Sequence, residues 1–139
     1  MSKKIALIIM FFILGILLIF HILIFAQILP YDMIWAGKLN SVEEMKKFET
    51  VSLLVNSFIL IILIIKFKLI EKAKNNWVID FFIWVFVVFF AFNTIGNLFA
   101  KNKYELIIGG LLTLTCSFLC YKIVQKTVNS SEKKPLEGQ

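Results

Sequence analysis

The apolar run over residues 5–29 constrains this chain more than any other feature, since His21 and Gln27 are its only strongly polar interruptions. Three comparable runs follow, at about residues 48–65, 77–100 and 104–124. A helix needs ~20 residues to cross ~30 Å of hydrocarbon at 1.5 Å per residue, and each run approaches or exceeds that length. The runs lack the strict alternation of barrel strands, and in lipid a segment must satisfy its own backbone groups. Helices are therefore expected. Composition agrees: 60% of the residues are hydrophobic and 17% are charged, where a soluble domain carries about 25% charged residues. The connections are short, so consecutive helices should run antiparallel. The expected fold is an all-α integral membrane antiparallel four-helix bundle over residues 1–127, followed by a polar cytoplasmic tail over 128–139.

Lys3, Lys4 and the segment Ile24-Phe25-Ala26 give the loose outline of a signal peptide. The apolar stretch, however, exceeds the ~7–15 residues of a signal core, so a retained first helix is expected. Orientation follows from lysine, because the chain has no arginine. The N-terminus, second loop and tail carry ten lysines, and the first and third loops carry five. The positive-inside rule then places both termini in the cytoplasm. The formal charge of +6 suits anchoring to anionic lipid, at about 1 kcal/mol per basic group near the surface. Nothing organises those charges for nucleic acid, and no nucleic-acid partner is expected.

The first loop holds Pro30, Tyr31, Asp32 and Trp35. Proline helps to end the first span, and the two aromatic rings suit the headgroup level. Ser41-Val42-Glu43-Glu44 has capping-box spacing, so the second helix should begin near Val42. The loop reads as an interfacial re-entry segment, with a lid over a ligand site as the alternative.

Polar residues inside the spans are unevenly placed. Glu49, Ser52 and Asn56 share one face of the second helix; Asn93, Asn97 and Lys101 share one face of the third, with Gly96 allowing close helix approach. Counting from the expected outer end at Leu29, His21 lies about 12 Å deep, near the levels of Asn56, Asn93 and Thr113. Gln27, Glu49, Asn97, Lys101 and Glu105 stand above that level. The inner half offers only Cys116, Cys120 and the border residue Asp80. Such groups should turn inward and find partners. Glu49 could meet Lys101 or Asn97, and His21 could meet Asn56, Asn93 or Glu49. Two readings stay open: an outward polar cavity in which His21 and Glu49 exchange protons, or an interhelical clasp worth ~0.6 kcal/mol per contact.

Catalytic and metal motifs are not evident. Cys116 and Cys120 have the wrong spacing and depth for a quinone-linked disulfide enzyme and read as small packing residues. One histidine and two distant cysteines make no recognisable metal site, and no cofactor is expected. Gly109-Gly110 within an apolar run favours helix packing. Small multidrug exporters carry a glutamate in their first span, and fluoride channels of similar size carry a Thr-Thr-Phe-Ser motif; both features are missing here.

Tyr31-Asp32-x-x-Trp35-x-Gly37-x-Leu39, then Glu44-Met45 and Phe48-Glu49, then Asn93-Thr94-Ile95-Gly96-Asn97-Leu98-Phe99-Ala100-Lys101, cover about half the chain. This pattern resembles a family of small bacterial four-span membrane proteins to which no activity is assigned. Ala36 and Lys38 depart from the glycine and arginine expected there. The resemblance implies four spans in a bacterial plasma membrane and points to these residues as the site. Three functions are compatible with the sequence. The favoured one is an accessory or binding protein with an outward polar pocket beneath the first loop, recognising membrane lipid, a partner membrane protein or a second copy. The others are a small oligomeric transporter or channel subunit, and an enzyme acting on a lipid or isoprenoid.

Overall fold

The computed structural model describes residues 1–31, 39–100 and 103–125, and most of these lie in helices. Helix α1 is Lys3–Phe25, α2 is Val42–Glu71, α3 is Trp77–Leu98 and α4 is Gly110–Val124, the last preceded by a π-helical turn over Glu105–Gly109. All four are long and apolar enough to cross a membrane when the π-helical turn is counted with α4. The polar tail expected over 128–139 lies outside the described residues.

Local chemistry sets the helix starts. The side chains of Ser2, Ser41 and Asn76 each accept a hydrogen bond from a backbone N–H of the first turn. At α2 the Ser41 hydroxyl accepts from Glu44 N at 3.1 Å, while the Glu44 carboxylate accepts from Asn40 N at 3.0 Å. One donor that a bare helix end leaves unpaired, Glu44 N, is thereby satisfied, and the residue before the cap is tied to the first turn.

The ends of α1 and α2 share one device. Ile28 N donates to Leu23 O and Gln27 N to Ile24 O; Lys74 N donates to Leu69 O and Ala73 N to Ile70 O. Both are Schellman closures, and both put a non-glycine residue in the left-handed region, with φ of 59° at Gln27 and 51° at Ala73. Helix α1 therefore stops at Phe25, four residues before the end expected from the apolar run.

Each helix packs against two others: α1 on α2 and α4, and α3 on α2 and α4. Leu7, Met10 and Leu14 of α1 meet Ile59 and Leu63 of α2, Ile83 and Phe86 of α3, and Cys116 and Leu119 of α4 in one core. Phe58 sets its ring edge-on to Phe82 and Phe86, fastening α2 to α3. The outward surface is apolar as well, with Phe12, Leu54, Val88 and Leu111 all more than half exposed. Helices that are apolar all round suit a lipid surrounding. Their cohesion there comes from packing and interhelical hydrogen bonds, since lipid tails are as apolar as the core.

On α2 the inward stripe runs Met45, Glu49, Ile59, Ile62, Leu63, Lys66, all buried. Its two charged members, Glu49 and Lys66, stand about 25 Å apart along the helix axis.

Candidate functional site

Helix α1 supplies His21 from its last turn, and α2 supplies Glu49 from its second. His21 Nδ1 lies 2.7 Å from Glu49 Oε2. The Glu49 side chain is fully buried, whereas the imidazole remains 17% exposed. One proton bridges the pair, either as Nδ1–H donating to a carboxylate or as a carboxyl O–H donating to the bare Nδ1. The ring stands edge-on to Phe20 at 5.9 Å between centroids. His21 and Glu49 thus share one level, although the sequence count set Glu49 higher. The cause is the early stop of α1, which leaves His21 only about 6 Å below the helix end.

A second polar group joins α3 to α4. The hydroxyls of Thr94 and Thr113 are 2.9 Å apart, and Asn97 Nδ2 donates to Thr113 Oγ1 at 3.3 Å. One turn further along α4, the Ser117 hydroxyl donates to Val87 O at 2.9 Å. Gly109 lies against Asn97, whose side-chain atoms would stand 3.2–3.3 Å from an added Cβ. Gly109 at the end of the π-helical turn and Gly110 at the start of α4 therefore allow the close approach that these bonds require. Thr94 belongs to the Asn93–Lys101 segment that carries the resemblance, whereas Ser117 stands outside every sequence motif. Ser117 falls four residues after Thr113 on the same face, which was the available signal.

The remaining amides of the expected layer turn to their own helices. Asn56 Nδ2 donates to Ser52 O, and Asn93 Nδ2 to Phe89 O. Ser52 is half-buried, while Asn93 is exposed on the outer surface of α3. Gly96 is exposed too, and an added Cβ there would meet nothing within 4 Å, so it serves no close contact among the described residues. Tyr31 is half-buried at the end of the described segment, and Glu105 is half-buried at the start of the π-helical turn. Asp32, Trp35 and Lys101 lie outside the described residues. The structure brings His21 to Glu49, and Asn97 to Thr113, as two separate groups in different helix pairs.

The opposite end of the bundle is not dry. Lys66, only 3% exposed, donates through Nζ to Asp80 Oδ1 at 2.5 Å and to Asn75 Oδ1 at 3.1 Å. The sequence placed Lys66 in a loop, because the apolar run ends at Ile65. Its spacing from Ile59, Ile62 and Leu63 puts it instead on the buried stripe. Cys116 and Cys120 are free thiols buried in the core. No group of three or more potential metal ligands occurs among the described residues.

Comparison with protein-family models, with curated proteins and with solved structures gives no match. What the site can do must therefore be read from its own chemistry. A sealed carboxylate paired with a partly open imidazole can hold a proton between two helices and present the ring to a ligand at the first-loop end.

Proposed function

We propose that this chain is a multi-pass accessory or binding protein of a bacterial plasma membrane, with its recognition end beneath the first loop. The His21–Glu49 pair carries this proposal. Ionisable groups within a membrane-spanning bundle are costly and mark functional positions by default. The apolar core between that pair and Lys66 includes Leu14, Ile59, Leu63 and Phe86, which favours binding over conduction through a single chain. The lysine distribution supports cytoplasmic termini, and the resemblance to small bacterial four-span proteins supports the setting.

A partner membrane protein or a second copy belongs to the same proposal. Asn93 presents an amide on the exposed face of α3, beside the open space at Gly96. A polar group at that position gains from a neighbouring helix what lipid cannot supply.

Flux measurements on proteoliposomes loaded with a pH-sensitive dye test the class of function. No proton or cation flux above protein-free vesicles is expected. Flux that disappears in His21→Ala and Glu49→Gln overturns the proposal in favour of a small oligomeric transporter.

A further inference from the structure

A groove of about 1130 Å³ opens at the end of the bundle that carries the start of α1 and the α2–α3 connection. Lys3, Lys66, Lys74 and Asp80 are its charged lining residues. Lys66 and Asp80 pair with one another, and Lys3 and Lys74 give the described lining an excess of positive charge. The buried Lys66 ammonium has three N–H donors, of which two serve Asp80 and Asn75. Its third can serve a ligand oxygen.

The walls below that charged mouth are aromatic. Trp84 of α3 and Tyr121 of α4 meet edge to face at 5.8 Å, and both line the groove. Trp84 also lines a second, apolar furrow of about 410 Å³ that continues along α3 past Val88 to Phe92. Positive charge at the mouth thus passes through one shared indole into an apolar track. An amphiphile with an anionic head and a hydrocarbon chain matches that sequence of surfaces.

We propose that this groove is a binding site for an anionic phosphate-ester lipid, with the phosphate at Lys3, Lys74 and Lys66 and one acyl chain running past Trp84 along α3. Charge favours an anionic lipid over a zwitterionic one. Among the described residues the one carboxylate lining the groove, Asp80, is engaged by Lys66 and is a poor match for a choline or ethanolamine amine. The site lies at the opposite end from His21 and Glu49 and does not depend on their role.

Native mass spectrometry of the full chain in uncharged detergent, titrated with phosphatidylglycerol or phosphatidylcholine, tests the proposal. Phosphatidylglycerol is expected to be retained more strongly. Lys3→Gln and Lys74→Gln should each weaken it about fivefold, the equivalent of about 1 kcal/mol per basic group. Neither lysine makes a side-chain hydrogen bond among the described residues, so both variants should fold, with helical circular dichroism as the check. Lys46→Gln, at the other end of α2, should bind as the parent does. Glycerophosphoglycerol, the same headgroup without chains, should compete weakly. Equal retention of the two lipids, or unchanged binding in the Lys3→Gln/Lys74→Gln double variant, overturns the site. Binding of glycerophosphoglycerol or inorganic phosphate as tight as that of the lipid overturns the lipid assignment and makes this a site for a free phosphate.

Discussion

His21 and Glu49 touch at 2.7 Å with unequal access, the carboxylate sealed and the imidazole partly open. Any ligand or proton reaching the pair from the described surface meets the ring first. Because His21 is the only histidine in the chain, its ring signals report on this contact without ambiguity.

The first prediction concerns coupling. A double-mutant cycle with His21→Gln and Glu49→Gln, read by reversible unfolding in mixed micelles, should give an interaction energy of about 1–3 kcal/mol, as for residues in direct contact. Additive effects within about 0.5 kcal/mol would show that the two side chains act independently.

At the other end of α2, Lys66→Met leaves Asp80 without its ammonium. The cost should be about 3 kcal/mol, because removing one partner strands a partly buried charge. Lys66→Met combined with Asp80→Leu should recover most of that loss, as an apolar replacement of similar volume does for other buried pairs. Thermal unfolding of the three variants side by side decides it, and a double variant less stable than Lys66→Met refutes the pairing.

The α3–α4 seam can be ranked residue by residue. Thr113→Val removes the acceptor used by Asn97 and should cost about 0.6–1.7 kcal/mol, the range for hydrogen bonds between membrane helices. Gly109→Ala forces the Asn97 side chain to shift, whereas at Gly110 an added Cβ meets Asn97 Cβ at an ordinary 3.8 Å. Gly109→Ala should therefore be less stable than Gly110→Ala by about 1 kcal/mol. A reversed order in melting temperature would mean that the two helices are not in this register.

Two helix ends invite stabilisation. Gln27 and Ala73 hold left-handed backbone angles that cost a side-chain-bearing residue about 1 kcal/mol and cost glycine little. Gln27→Gly and Ala73→Gly should each raise stability by roughly that amount, less the greater chain entropy of glycine when unfolded. Unfolding midpoints measured against the parent test this, and a fall at both positions would contradict the Schellman geometry.

Apolar run length was enough to place the four helices, and Ser41 with Glu44 marked the start of α2. The end of α1 was illegible because the stop is made by Gln27 in a conformation that usually announces itself as glycine. Pro30 drew the boundary outward, and that shift set His21 too deep relative to Glu49. The pairing itself stayed ambiguous because hydropathy fixes neither the rotation of a helix nor its neighbour when every face is apolar. Asn93 shows the limit of arguing that polar groups turn inward. By donating to Phe89 O it meets part of its hydrogen-bonding need within α3 and can remain on the outer surface. The π-helical turn over Glu105–Gly109 had no sequence signal beyond Gly109 at its end and Gly110 after it.

The spacing of Glu49 and Lys66 makes α2 a gauge of its surroundings. Each charge is tied to a neighbouring helix, so neither end can slide without carrying α1 or α3 along. About 25 Å of helix separates them, against ~30 Å for a typical hydrocarbon layer. In a thicker bilayer the bundle must thin the lipid around it or draw one of these two polar contacts toward the chains, at a fraction of a kcal/mol per ångström. Acyl-chain length, independent of headgroup, is thus a physical variable that bears on both polar contacts of α2.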